Sequence, residues 1–343
     1  MPDITNEPLE AVLSNYPIKV TAIRNESYKE KKGVWWIQTD EGMRILKKIS
    51  NSEETLRYIL DAVRHLNKNG VRLPRVYSTT DGREYAVTGN SCYVMTQAIE
   101  GRNPSYYVKD ELALIVKELA KFHQASKGFQ PLAGTKPKNH LGLWVEDYQG
   151  QLEDIHSFYN EDLEKTDRAE INDTIVREFP YFKKRAQEAI DGLKGDGFSS
   201  WVAECQKAGC LCHQDFAAGN LIITPSGALY VLDTDSLTLD IPARDIRKLL
   251  NKIMRKAGQW DIELTKQILR YYQDINPLTP SQWEVVKLDL MYPHLFIGAV
   301  NKFYYKRDKE WSPEKYLKKI VETAAFEKTI EPVLNRFHTI IPV

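Results

Sequence analysis

The chain has 343 residues, with 47 Lys+Arg against 47 Asp+Glu, a hydrophobic fraction of 42% and an aromatic fraction of 10%. That length suits two structural units or one large two-lobed one, and the apolar content supplies a substantial core, which argues against global disorder. A balanced charge argues against a nucleic-acid partner, and the best apolar run, Leu295–Val300, falls far short of the roughly 18 residues that cross a membrane.

The opening residues, Met1 to Tyr16, carry Asp3, Glu7 and Glu10 with no basic flank leading into an apolar stretch, so no signal peptide is expected. Four cysteines, Cys92, Cys205, Cys210 and Cys212, are too sparse for a disulfide scaffold and suit a reducing cytosol. Strands are predicted at Lys19–Arg24, Val34–Thr39 and Met43–Ile49, the last two joined through Asp40-Glu41-Gly42. A helix follows, with Ser52 as N-cap, Glu53 and Glu54 in its first turn, and Leu56, Ile59, Leu60, Val63 and Leu66 on one face. Glu84–Thr88 and Ser91–Gln97 flank Gly89-Asn90, a hairpin signal, completing a sheet of about five strands with one helix after the third.

Past Gly101 the pattern becomes helical. Leu112, Ile115, Val116, Leu119, Phe122 and His123 share a face that stops at Gly128. Residues 146–197 are charged and interrupted, read as solvent-facing helices and loops without placeable ends. Further helices are predicted over Ile246–Met254, Ile262–Tyr272, Ser281–Lys302 and Pro313–Phe337. The division into two parts is expected near 97–101, giving units 1–98 and 99–343.

The stretch from Cys210 to Asp233 carries the chemistry. His213, Asp215 and Asn220 stand in the spacing H-x-D-x-x-x-x-N, and two short apolar strands, Leu221–Thr224 and Ala228–Leu232, are separated by the turn Pro225-Ser226-Gly227. A hairpin centred on Ser226 sets Asn220 opposite Leu232 and beside Asp233. Two oxygen ligands at one hairpin end suit magnesium, which takes one or two protein groups plus substrate phosphates. Asn220 and Asp233 are the expected metal ligands, and Asp215, one loop earlier, is the candidate base for a hydroxyl attacking a γ-phosphate. His213 reads as a loop-organising hydrogen-bond partner. Cys205, Cys210, Cys212 and His213 lack the paired spacing of a zinc site, so buried thiols are the expectation. His123 reads as a hydrogen-bonded core histidine. The aromatic residues Trp260, Trp283, Tyr292, Tyr304, Tyr305 and Trp311 read as core.

The run His213-Gln-Asp-Phe-Ala-Ala-Gly-Asn220 followed by Asp233 resembles the catalytic and metal-binding loops of the protein-kinase-like fold, in its aminoglycoside phosphotransferase and choline kinase branch. Leu119-Ala-Lys-Phe-His123 resembles that branch's helix ahead of the catalytic loop. Closer still, the same run together with Leu232-Asp-Thr-Asp-Ser-Leu and on to Leu250 is similar to bacterial spore-coat proteins of the CotS type, across nearly the whole chain. The resemblance implies an α+β, two-lobed kinase-like fold, with a small antiparallel-sheet lobe containing one helix and a larger, mainly helical lobe. It implies ATP and Mg2+ as cofactors, Asp215 as the base, Asn220 and Asp233 as metal ligands, and Asp245 as the acidic anchor of the helix after the metal loop. Lys47, at the end of Arg44-Ile-Leu-Lys47, matches the lysine that holds the α- and β-phosphates, with Glu54 preferred over Glu53 as its carboxylate partner. Taken alone, Lys47 also fits a solvated strand lysine and Glu54 a first-turn charge. The connection Gln97-Ala98-Ile99 would give backbone groups to adenine.

Two departures stand out: Asn25–Lys32 is charged and glycine-free where a phosphate loop would lie, and the metal motif is Asp-Thr-Asp. The expected activity is phosphoryl transfer to a hydroxyl of an unknown small-molecule acceptor. The alternative is a structural coat component that keeps the fold with little or no catalysis. The expected location is the spore coat, reached from the mother-cell cytoplasm, with other coat proteins as partners and neither nucleic acid nor membrane.

Overall fold

The computed structural model describes residues 7–29, 32–307 and 311–342. Two compact units emerge, one formed by Met1–Ser105, Gln124–Lys138 and Asp215–Thr238, the other by Tyr106–His123, Asn139–Gln214 and Leu239–Val343.

The first unit opens with a short helix, α1 (Leu9–Leu13), and a five-stranded antiparallel sheet: β1 (Val20–Lys29), β2 (Lys32–Thr39), β3 (Gly42–Ile49), β4 (Ala86–Thr88) and β5 (Ser91–Gln97), in the order β1-β2-β3-β5-β4. Between β3 and β4 lies α2 (Glu53–Lys68), whose N-cap Ser52 accepts from Thr55 N. Side chains alternate along a strand, so the two faces of this sheet have different tasks. Trp35, Ile37, Leu46, Tyr93 and Met95 pack with Val12, Leu13 and Tyr16 in one buried cluster. Their strand neighbours Val34, Trp36, Ile45, Lys47, Val94 and Thr96 line a cavity. The expected sheet, with its helix after the third strand, is the one observed.

Strand β1 runs to Lys29, five residues beyond the predicted Lys19–Arg24, with a register shift between Asn25 and Ser27. Most of the charged stretch Asn25–Lys32 is therefore strand, because Tyr28 packs on the buried cluster and Glu26 accepts from Trp36 Nε1 at 2.9 Å. Residues 30 and 31 lie outside the described residues. The unit is completed by a small hairpin after Asp215.

The second unit is helical. It takes most of α3 (Lys109–Ser126), then α4 (Trp144–Glu164), α5 (Glu170–Leu193), α6 (Asp196–Ala208), the two-residue strand β6 (Leu211–Cys212), α7 (Ala243–Ala257), α8 (Ile262–Gln273), α9 (Pro280–Met291), α10 (His294–Tyr304), α11 (Pro313–Lys328), α12 (Glu331–Asn335) and α13 (Phe337–Ile340). The region read as solvent-facing is corrected here: Ile171, Ile175, Phe179, Phe182, Ala186 and Ile190 form a buried stripe on α5 beneath its charged surface. The helix predicted over Ser281–Lys302 is two, since Pro293 cannot donate to the carbonyl of Asp289 and ends α9. His294 Nε2 meets that carbonyl instead, at 3.1 Å. The helix predicted over Pro313–Phe337 is one long helix, α11, followed by two short ones, with Pro332 in the first turn of α12.

Candidate active site

The hairpin that carries Asn220 pairs β7 (Leu221–Ile223) with β8 (Leu229–Val231), in the register Leu221↔Val231, Ile222↔Tyr230, Ile223↔Leu229. Leu232 N donates to Asn220 O at 2.8 Å, which is the pairing the turn Pro225-Ser226-Gly227 predicts. Asn220 ends a 3-10 turn, Ala218–Asn220, and its Nδ2 donates to both the main-chain oxygen and Oδ2 of Asp215, each at 2.9 Å. With the amide nitrogen bound to Asp215, Oδ1 is the Asn220 atom that could meet a cation.

Asp233 follows β8 in a left-handed conformation, φ 56°, and opens a second 3-10 turn, Thr234–Ser236. Its Oδ1 lies 3.3 Å from Lys47 Nζ on β3, a contact between residues 186 positions apart. Lys47, Gln97, Ile99, Asn220 and Asp233 all line one cavity of about 390 Å³. Asp215 is joined to that wall through Asn220. The apolar face of α2, with Leu56, Ile59, Leu60 and Val63, also lines the cavity.

Glu54 is not brought to this cavity. It is exposed, and its carboxyl is held below the usual glutamate range by its own backbone N–H and the Ser52 hydroxyl at the start of α2. The carboxylate that Lys47 meets is that of Asp233. Glu54 therefore serves the helix terminus, where a first-turn acid is favourable.

The connection after β5 is strapped to the hairpin. Arg102 N donates to Ile223 O at 3.1 Å and Ile223 N returns to Arg102 O at 2.8 Å. Asn103 Nδ2 donates to Leu221 O at 2.7 Å, beside Asn220. Gly101, at φ 152°, lies so close that a Cβ would stand 2.2 Å from Ile223 O. The segment following the proposed adenine connection thus fixes the loop that carries Asn220.

Residues 11–337 match the family described as spore coat putative kinase YutH. The chain belongs to that family. Spore coat protein S of Bacillus subtilis (strain 168) is 28% identical over 331 residues, covering 95% of this chain and 92% of that protein. Among solved structures, an aminoglycoside phosphotransferase from Alicyclobacillus acidocaldarius superposes with a TM-score of 0.81 at 17% identity, covering 96% of this chain and 95% of that one. The amicoumacin kinase hAmiN, solved with AMP-PNP, Ca2+ and Ami, gives 0.61 at 16% identity, with coverage of 97% and 94%. At these identities the structural likeness shows a kinase-like phosphotransferase fold, as the sequence resemblance implied.

Within this spore-coat kinase-like chain, Asp245 anchors the loop ahead of Asp215. It is fully buried in the first turn of α7, accepting from His213 N at 2.6 Å, Gln214 N at 2.8 Å and His123 Nε2 at 3.3 Å. Burial alone would raise its pKa, but the His123 contact and the His213 amide hold it below the usual aspartate range. His123 also meets the Tyr272 hydroxyl at 2.7 Å, so it is the hydrogen-bonded core histidine expected. The ligand atoms of His123, Cys212 and Asp245 lie within 4.8 Å of one another. Their hydrogen bonds already engage them, however: Cys212 Sγ donates to Ile241 O at 3.2 Å, and burial pushes that thiol well above its usual range. All four cysteines are buried and none is in a disulfide. Trp283 and Tyr292 are core, as expected, while Tyr305 is exposed.

Several side chains at and around the site carry no sequence signal. Lys248 Nζ binds Gln214 O at 2.9 Å and Gln214 Oε1 at 2.8 Å, and so holds that residue at φ 70°. Burial brings this lysine down to about 8. Asn51 and Lys138 both reach the main-chain oxygen of Asp235, at 3.4 and 2.7 Å. Asn51 and Lys138 belong to no periodic face or short motif, and Lys248, though inside the run that ends at Leu250, has nothing in its spacing that marks this contact.

Proposed function

We propose that this chain is an ATP- and magnesium-dependent phosphotransferase of the spore coat, acting on a hydroxyl of a small-molecule acceptor. The observation that carries the reading is the contact of Lys47 with Asp233 in a cavity whose wall also holds Asn220. On this reading residues 1–98 form the nucleotide lobe, with adenine against the main chain of Gln97–Ile99, and residues 99–343 carry the base and the acceptor site. Lys47 holds the α- and β-phosphates. Asn220 Oδ1 and the Asp233 carboxylate hold the metal, an oxygen donor set that fits magnesium. A bound magnesium ion would neutralise charge on the phosphates.

Asp215 accepts the proton of the acceptor hydroxyl as that oxygen bonds to the γ-phosphorus. The bond from the γ-phosphorus to the bridging oxygen breaks, and ADP leaves with that electron pair. Asn220 Nδ2, bonded to Asp215 Oδ2, orients the carboxylate for this task. We further propose that the protein reaches the coat from the mother-cell cytoplasm and contacts other coat proteins there.

Thermal unfolding with and without magnesium and ATP tests the reading. At 100 times its dissociation constant, ATP should stabilise the fold by about 2.7 kcal/mol, and Asp233→Asn should remove the magnesium-dependent part. Asp215→Asn should keep nucleotide affinity and abolish transfer. No shift at millimolar ATP would favour the structural alternative, to which the apolar, carboxylate-free cavity face of α2 already lends support.

A further inference from the structure

A phosphate loop works through backbone N–H groups that approach the anion closely, and glycine permits that approach. Residues 25–32 read Asn-Glu-Ser-Tyr-Lys-Glu-Lys-Lys, so a triphosphate in this cavity needs its charge met by side chains. Lys47 supplies one cation from β3. A second lysine stands at the Asp235 turn, brought there from a segment far away in sequence. Lys138 Nζ donates to the carbonyl of Asp235 at 2.7 Å, and Asp235 lines the cavity two residues beyond Asp233. Asn51 Nδ2 also reaches that carbonyl, at 3.4 Å, so the turn has a holder besides the lysine. An ammonium has three donors, and the Asp235 carbonyl takes one.

Burial, more than its charged neighbours, works against the ammonium form of this lysine. Burial pushes Lys138 below the usual lysine range; the Asp235 carboxylate opposes that shift, and the ammonium of Lys32 at the start of β2 adds a smaller push downward. A half-buried ammonium is favoured further by a polyanion brought beside it.

We infer that Lys138 is a phosphate-binding residue of this cavity, meeting the terminal phosphate of a nucleoside triphosphate from the Asp235 side while Lys47 meets the inner phosphates. The inference rests on the nucleotide reading above and adds to it a preference for the triphosphate over shorter nucleotides.

Calorimetric titration of the full chain with ATP, ADP, AMP and inorganic tripolyphosphate, at fixed ionic strength with magnesium, tests it on wild type, Lys138→Met and Lys138→Arg. Losing one charge-assisted contact should weaken ATP and tripolyphosphate about ten-fold or more in Lys138→Met. AMP affinity should stay unchanged, and Lys138→Arg should recover most of the loss. An equal fall for ATP, ADP and AMP would make Lys138 only a holder of the Asp235 turn and overturn the inference. So would ATP and tripolyphosphate affinities that ignore the substitution. If wild type binds none of the four, the nucleotide reading falls and takes this inference with it. If wild type binds ATP and Lys138→Met binds it equally well, only the inference falls.

Discussion

Gly101→Ala probes the strap that ties the β5 connection to the metal-loop hairpin. At φ 152° an alanine is strained whatever space surrounds it, and here the new Cβ would stand 2.2 Å from Ile223 O and 2.6 Å from Ile222 Cγ2. The backbone strain costs about 1–3 kcal/mol. Overpacking against a main-chain carbonyl adds about 1–3 kcal/mol, because β7 must shift and the Arg102–Ile223 hydrogen bonds shift with it. The control is Gly82→Ala, at φ 86° with nothing within 4 Å of its Cβ, which bears the strain alone. Urea unfolding followed by circular dichroism should place Gly101→Ala roughly 2–6 kcal/mol below wild type. Gly82→Ala should lose only about 1–3 kcal/mol. In the Gly101 variant, magnesium-dependent ATP stabilisation should fall as well, since the carbonyl displaced belongs to the strand that follows Asn220. Equal losses in the two variants, with ATP stabilisation intact, would show that the close approach does not hold the loop.

In the helical unit, Arg185 and Glu327 form an ion pair with side chains 5% and 6% exposed, and Glu327 Oε1 also accepts from Leu295 N at 2.9 Å. Glu327→Ala leaves a buried guanidinium uncompensated and should cost about 3–5 kcal/mol in urea unfolding, against no more than about 1 if water reaches the site. His294 is pushed down to about 4, by burial first and then by the Arg247 charge, against the pull of Asp289. In the folded protein the imidazole stays neutral, while in the unfolded chain it takes a proton as the pH falls below 6.5. Its contribution is therefore complete above 6.5 and lost on acidification towards 4, a swing of roughly 3 kcal/mol. Stability measured across that window should flatten in His294→Gln, and an unchanged slope would remove His294 as its source.

What could be read from the residues divides along chain distance. The β7–β8 register was readable because Pro225, Ser226 and Gly227 fix the turn centre, and every pairing then follows within a dozen residues. Lys47 was picked over Lys48 because two apolar residues, Ile45 and Leu46, precede it directly, and β3 sets it in the cavity lining with Ile45 and Ile49. Its carboxylate partner was not. A first-turn Glu54 that serves a helix end looks, in sequence, the same as one that pairs with a strand lysine. The partner actually met, Asp233, lies on another segment altogether. The stripe on α5 was hidden by dense charge between its apolar positions and by Pro180, which sits on the exposed side. At Pro293 the opposite happened: apolar spacing continued across a residue that ends the helix.

The same distances determine what the site can report. Its residues come from all three stretches of the first unit: Lys47, Asn51 and Asn103 from the first, Lys138 from the second, Asp215, Asn220 and Asp233 from the third. No one stretch holds the geometry alone. Closing loops of this length costs entropy that is recovered only when the packed contacts form together. A nucleotide that bridges Lys47, Lys138 and the Asn220–Asp233 hairpin would bind the folded unit and not its parts, so its binding energy would add to the stability of the whole unit. Ligand-induced stabilisation is therefore a direct readout of the assembled site, and its size should fall with every substitution that loosens one stretch from the others.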